Sequence, residues 1–459
     1  VTLELHDYQN RAVDLTVKYG AIYHMLDAGL GKTAIALKVI ERLGIPAFIL
    51  GPKLAVTYTW PNEIAKWTPR LRYTVLHGNN KNYYARQAAG CDVTLLNYEG
   101  LKWFMDTCNK GGFKLRKFLV VFDESSMIKY RTKETKTGML PRFEMLAQMM
   151  PIYSGYRLAL SATPVPNSLI ELWAQYYLLD KGKRLTPSYY DFRGRYFNYT
   201  GAPLFQTNIL PGSEEKIYSK IADITFQLNA EDHLNMPPLQ QNTIRIPMPK
   251  SIRKLYDKMD TEYIVEFKDG DVVVANSQAT AGLKLRQLLQ GGIYTDNGQR
   301  LLKSPAKAQY LQAMLQQSAG QSILCAIQFQ FEYEVICNLL KRQVPIIAGR
   351  TSSTDAAKLL RQWDQGKLPL LLVHPGSVQY SLNMQAGGHI LLWLALPWSY
   401  EQYYQLIRRL YRQGQTRGVM SHAVCFENSI DEDVAWRLKQ KFETDVALKQ
   451  AMRERGLQL

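Results

Sequence analysis

At 459 residues, 46% hydrophobic and 21% charged, the chain has room for one to three domains with sizeable cores. No apolar run reaches the roughly 18 residues of a spanning helix, and no basic-then-apolar leader opens the sequence, so neither a membrane partner nor secretion is expected. The 56 Lys and Arg against 40 Asp and Glu leave a formal net charge of +16, which favours a polyanionic partner such as nucleic acid; charge scattered over a basic enzyme is the plain alternative.

In chain order, residues 20–26 predict a strand, followed by Asp27-Ala28-Gly29-Leu30-Gly31-Lys32-Thr33 and a helical pattern over 33–43. Glycines let backbone N–H groups turn toward phosphate oxygens, and the helix start adds partial positive charge. Lys32 can then reach the β- and γ-phosphates, and the Thr33 hydroxyl can ligate Mg²⁺. The strict pattern has a further glycine upstream that this sequence lacks, so an ordinary tight turn is the alternative. Apolar runs at 47–50, 93–96, 118–122 and 158–160 predict buried strands. The run at 118–122 ends in Asp123-Glu124, which would place two carboxylates beside the phosphate loop. Asp123 would hold Mg²⁺ through water and Glu124 would orient or deprotonate the attacking water; an acidic helix start is the alternative.

Residues 180–305 have a different texture, rich in Tyr, Gln and Pro, with helical patches at 250–266 and 280–290. The strand style returns at 323–327, 344–348, 370–373 and 390–394. Continuous apolar strands alternating with helices predict parallel sheets covered on both faces. The fold class expected is therefore α/β: two parallel-sheet lobes, residues 1–179 and 306–459, with a mainly helical insertion and linker at 180–305. After the last strand, Gln405, Arg409 and Arg412 would share one face of a helix, with Gly414-Gln415 beyond. Two guanidiniums there suggest arginine fingers that stabilise charge on a γ-phosphate, a solvated cationic face being the alternative. The cysteines Cys91, Cys108, Cys325, Cys337 and Cys425 have neither C-x-x-C nor zinc spacing and predict free thiols in a reducing compartment.

The order of these motifs resembles the Swi/Snf family of helicase-like DNA translocases in helicase superfamily two. Leu5-His6-Asp7-Tyr8-Gln9 looks like its adenine-reading Gln motif, and Gly29–Thr33 and Asp123-Glu124 match its phosphate loop and carboxylate box. Ser161-Ala162-Thr163-Pro164, continuing Asn167 to Glu171-Leu172-Trp173, is close to the family's G-T-P-x-x-N-x-x-x-E-L-W. Trp398, Gln405 and Arg412-Gln413-Gly414-Gln415 fit its last motifs. Departures are His6-Asp7 before Tyr8, Leu26-Asp27-Ala28 in place of D-E-M, Ser125-Ser126 in place of A-H, and a glycine-poor Gln379–Asn383.

The resemblance implies two RecA-like lobes, ATP with Mg²⁺, and 3′-to-5′ tracking along one strand of double-stranded DNA without sequence specificity. Tyr8, Gln9, Asp27, Gly29, Leu30, Gly31, Lys32, Thr33 and Gln405 would bind the nucleotide. Lys32, Asp123, Glu124, Arg409 and Arg412 would carry hydrolysis, and Ser161, Thr163 and Asn383 would couple it to movement. In such a motor the DNA backbone meets loops after strands: Lys53, Trp60, Asn97 and Tyr98 in the first lobe, and Gln328, Gly349, Arg350, Thr351, Gly376, Ser377 and Trp398 in the second. With motifs running only from Leu5 to Gln415, a compact monomeric motor is expected, in the cytoplasm of a bacterial or phage-infected cell. A strand-separating helicase for forks or recombination intermediates, or a nucleotide-gated DNA-binding module without sustained turnover, are the alternatives. The Tyr189–Tyr199 stretch mixes aromatics with arginines and could stack bases, but a local core is the simpler expectation. Trp103, Trp173, Trp363 and Trp393 are expected in the core.

Overall fold

The structure, a computed structural model, describes residues 4–110, 118–130, 142–199, 207–267, 272–296, 298–302, 305–378 and 383–457. The chain divides into two compact units, Val1–Leu234 with Lys441–Leu459, and Asn235–Gln440.

The first unit holds a seven-stranded sheet. In spatial order its strands are Tyr73–Val75, Val93–Asn97, Ala47–Gly51, Phe118–Asp123, Tyr153–Ser161, Ala21–Leu26 and Thr225–Leu228. Every neighbouring pair is parallel. Strands such as Phe48-Ile49-Leu50 and Leu119-Val120-Val121 are buried throughout, as a sheet covered on both faces requires. Parallel pairing also lines up strand ends: Met25 lies opposite Ser161, Asp123 opposite Leu160 and Gly51 opposite Asn97. The carboxyl ends of five strands therefore open on one edge, where ligands of open α/β sheets bind.

The second unit holds six parallel strands in the order Leu239–Ile246, Val419–Phe426, Ile390–Trp393, Ile323–Ala326, Leu370–Val373 and Ile346–Ile347. Its main core gathers Ile323, Cys325, Leu372, Leu392 and Phe331. A second cluster packs the helices Lys250–Glu262 and Gln278–Leu289 through Ile252, Met259, Leu285 and Leu288.

The segment 180–305 is split between the two units, and it contributes a strand to each sheet. Thr225–Leu228 pairs with Ala21–Leu26, and Leu239–Ile246 pairs with Val419–Phe426 over eight positions. Both strands carry Gln, Thr or Asn among their apolar residues, so a search for unbroken apolar runs passes over them. The last helix, Ile430–Arg455, is likewise shared: from Lys441 onward it belongs to the first unit, where Leu448 and Met452 join the core.

All five cysteines are free, with Cys325, Cys337 and Cys425 buried. Trp173, Trp363 and Trp393 are buried as expected, while Trp103 packs at the edge of the core and donates to Asn82 Oδ1 at 3.0 Å. In the aromatic stretch Phe192, Tyr196 and Phe197 are buried, and Tyr190 is exposed beneath the Arg193 guanidinium.

Candidate active site

Strand Ala21–Leu26 delivers the chain into the phosphate loop. Gly29 and Gly31 have φ of 94° and 78°, a region open to glycine at no steric cost. Gly31 begins the helix Lys32–Leu43 with no side-chain cap, so its first-turn N–H groups stay available to an anion. A Cβ on Gly31 would lie 2.2 Å from Gln9 Nε2, so the loop and Gln9 are packed backbone to amide. That amide donates to Leu30 O at 3.1 Å, and Gln9 Oε1 accepts from His6 N at 2.9 Å. Tyr8, stacked near His6 and His233, is almost fully buried alongside. The structure thus brings Gln9 to the phosphate loop, while Tyr8 packs between His6 and His233.

Lys32 Nζ donates to Leu26 O at 2.9 Å and Asp27 O at 3.3 Å. Burial lowers its pKa; Glu124, Asp123 and Asp27 oppose that shift, and Lys449 reinforces it. Thr33 follows, half-buried at the helix start. Asp27 is buried and turned into the protein: its carboxylate accepts from Ala230 N at 3.2 Å and pairs with Lys449 at 3.0 Å. Lys449 pairs also with Asp445 at 3.0 Å. Neither Lys449 nor Asp445 stands out in the sequence. Their i, i+4 spacing marks a helix pair, but nothing local announces an acidic partner at position 27.

Asp123 ends its strand with its carboxylate accepting from Trp60 Nε1 at 2.9 Å, while Tyr98 Oη donates to its carbonyl at 2.9 Å. Gly51, on the adjacent strand, leaves room: a Cβ there would sit 3.2 Å from Asp123 Cβ. Burial raises the Asp123 pKa, opposed by the Trp60 N–H, the Lys32 charge and the Glu124 backbone N–H. Glu124 has φ 50° and ψ 56°, the left-handed region, where a non-glycine residue costs about 1 kcal/mol or more. The turn that follows is closed by Met127 N donating to Glu124 O at 2.9 Å. A strained residue at the proposed water-orienting carboxylate is held there by the buried elements on either side.

This geometry corrects part of the predicted nucleic-acid surface. Trp60 and Tyr98 are 0% and 1% exposed and buttress Asp123, so they lack the accessibility a DNA contact needs. Asn97 is also buried, with its amide on Glu99 at 2.8 Å. Lys53 is exposed, at the start of the helical turn after its strand.

Among the described residues no three His, Cys, Asp or Glu side chains gather as a self-sufficient metal site. Thr33 and Asp123 instead offer two hard oxygen donors beside the phosphate loop, a set that fits Mg²⁺ completed by phosphate oxygens and water.

In the second unit the helix Tyr400–Leu410 starts at Ser399, whose Oγ accepts from Gln402 N at 3.3 Å. Gln405 is buried and Arg409 half-buried, but the helix ends at Leu410, with Tyr411 at ψ 84°. Arg412 therefore lies beyond the helix, against the expectation of one helical face. Its guanidinium hydrogen-bonds Asn383 Oδ1 instead. The buried Gln415 organises this turn, donating to Gln385 O at 3.1 Å and Gly388 O at 3.0 Å. Gln379–Leu382, the glycine-poor part of the fifth motif, lie outside the described residues. Ser161 and Thr163 are fully buried, with Thr163 N donating to Ser161 Oγ at 3.1 Å.

Of the remaining predicted DNA contacts, Gly349 and Arg350 are exposed, and Thr351 closes their turn by accepting from Ala348 N at 3.0 Å. Gly376, Ser377 and Gln328 are half-buried after their strands, and Gln328 N donates to Glu332 at 2.7 Å. Trp398 is 40% exposed, with Arg286 and Arg437 over its ring at 5.3 and 5.5 Å.

A phosphate loop, a carboxylate pair on a nearby strand end and a second parallel α/β unit carrying arginines define a helicase-like ATPase. Residues 20–291, more than half the chain, match the SNF2-related domain, and the chain belongs to that family. It is 29% identical over 463 residues to putative protein p41 of Acyrthosiphon pisum secondary endosymbiont phage 1, covering 95% of this chain and 97% of that one. It is 22% identical to the ISWI chromatin-remodeling complex ATPase ISW1 of Saccharomyces cerevisiae over 91% of this chain and 38% of the yeast protein. The uncharacterized ATP-dependent helicase MG018 of Mycoplasma genitalium is 21% identical over 91% of this chain and 39% of its own length. The chain thus spans well under half of these two cellular relatives. Among solved structures, the Sulfolobus solfataricus SWI2/SNF2 ATPase core in complex with dsDNA aligns at a TM-score of 0.44 and 19% identity, over 98% of this chain and 94% of that one.

Proposed function

We propose that the chain hydrolyses Mg²⁺-ATP when bound to double-stranded DNA and uses the cycle to move along the duplex as a monomer, without reading sequence. The observation that carries this is the joining of Lys32 to Asp123 and Glu124 at one sheet edge in a chain of the SNF2-related family. Lys32 would neutralise the terminal phosphates, Thr33 and Asp123 would hold the metal, and Glu124 would take the proton of the attacking water. Bound Mg²⁺ would polarise the phosphoryl group and template the nucleotide. Arg409 and Arg412 would stabilise the negative charge that hydrolysis develops on the γ-phosphate. Exposed Lys53 and Arg350 and a net charge of +16 suit phosphate contacts without base readout.

Steady-state ATPase with duplex DNA, single-stranded DNA and RNA tests the proposal, alongside displacement of a third strand from a duplex track. Duplex-stimulated turnover with displacement is expected. Stimulation by RNA alone would overturn it.

A further inference from the structure

Below the carboxylate pair lies a buried polar cluster built from four separate segments of the first unit. Tyr23, in strand Ala21–Leu26, is 0% exposed, and its phenol donates to Gln175 Oε1 at 2.6 Å. Ser125, the residue after Glu124, points its Oγ at both the Tyr23 phenol, 2.8 Å away, and Gln175 Oε1, 3.0 Å away. Ser161, fully buried at the end of the strand paired with the one carrying Tyr23, accepts the N–H of Thr163 through Oγ. The far end of the Gln175 amide donates to Pro164 O at 2.9 Å and Glu171 O at 3.1 Å. Ser125 and Gln175 are each 1% exposed.

Each buried polar group left unpaired would cost about 1–3 kcal/mol, so the pairing of Tyr23, Ser125 and Gln175 holds these segments together. Burial pushes the Tyr23 phenol pKa far up, which keeps its proton in place to donate. The two ends of one amide divide the work: Oε1 holds the segment carrying Glu124, and Nε2 holds the Ser161–Pro164 turn. Ser125 follows Glu124 directly, within the turn closed by Met127 N on Glu124 O, so the bonds to Ser125 tie that turn to the cluster.

We propose that Gln175, together with Tyr23, is a positioning residue that locks the Glu124 turn to the Ser161–Pro164 turn, so that displacement of either is transmitted to the other. Its consequence for turnover rests on the ATPase function proposed above; the lock itself does not. Gln175→Met keeps the length and removes the amide, and Tyr23→Phe removes only the hydroxyl.

Amide hydrogen exchange on the whole chain tests the lock without turnover. Both variants should speed exchange at 124–128 and at 162–165 together, with 93–97 unchanged. Faster exchange in one segment alone, or in neither, would overturn the lock. Duplex-stimulated ATPase then reads its use: kcat should fall about 3- to 10-fold with the KM for ATP within about twofold, and Gln175→Met combined with Ser161→Ala should lose less than the product of the single losses. Wild-type kcat in both variants, or losses that multiply, would show that the lock plays no part in hydrolysis. Failure of the unmutated chain to hydrolyse ATP with any nucleic acid would count against the proposed function, while the exchange result stands on its own.

Discussion

The surroundings of Asp123 and those of Arg412 differ in how firmly they are built. Asp123 ends a central strand, and its neighbours Trp60 and Tyr98 are buried and bonded to it. Arg412 lies two residues past a helix end, half-buried, with its partner Asn383 on an exposed loop position. The first arrangement suits groups that must hold a nucleotide and a metal in fixed places. In the second, the position of the guanidinium is set by a turn rather than by a sheet.

Four measurements would break or sharpen this contrast. The largest effect is expected at Arg412→Ala: a finger contributes about 10³- to 10⁵-fold to turnover. Near-normal ATP hydrolysis by that variant would assign the turn to structure alone. Glu124→Gln should next slow hydrolysis about 10²- to 10⁴-fold while leaving ATP affinity within a few-fold, because only the proton acceptor is lost. Equilibrium nucleotide binding beside single-turnover hydrolysis separates the two quantities, and equal loss of both would contradict the assigned role.

Lys449→Ala tests how the phosphate loop is supported. Removing it leaves Asp27 and Asp445 buried without this cation, and taking one partner from a buried pair costs about 3–5 kcal/mol. Thermal unfolding should drop by several degrees, with Lys449→Arg recovering part of it; an unchanged midpoint would mean the pair carries no net stability.

The smallest effect is expected in the second unit and is read by pH. Burial lifts the Glu332 pKa to about 7 from 4.5, against the N–H groups of Phe329 and Gln328 and the charges of Lys307 and Arg286. Below about 4.5 folded and unfolded chains both hold the proton. Between there and about 7 only the folded state keeps it, so stability falls as pH rises, by at most about 1.4 kcal/mol per pH unit. Unfolding midpoints from pH 5 to 7.5 should fall less steeply in Glu332→Gln, and parallel curves would show that Glu332 does not titrate there.

Much of the local geometry of the candidate site was legible because chemistry and strand pattern coincide locally. Gly29–Thr33 must follow a strand and start a helix to cradle phosphate, and Asp123-Glu124 must end an apolar run; both can be read within a few residues. Trp60 and Tyr98 were misplaced on the nucleic-acid surface because a residue after a strand has no burial of its own. Packing against Asp123, 63 residues from Trp60 and 25 from Tyr98, is what covers them. The strands Thr225–Leu228 and Leu239–Ile246 were hidden because polar residues interrupt them, and only pairing with a neighbour makes them strands.

The sequence by itself determined the two parallel α/β sheets, the phosphate loop and the carboxylate pair, since each is written in periodicity and in glycine, lysine and acid at short range. Tertiary structure alone decided that Lys449 reaches Asp27 across 422 positions, that Tyr23 and Gln175 meet beneath Glu124, and that Arg412 falls beyond its helix. These depend on which buried polar groups find each other once the strands align, and the cost of leaving such groups unpaired is set by the folded neighbourhood, which no local pattern contains.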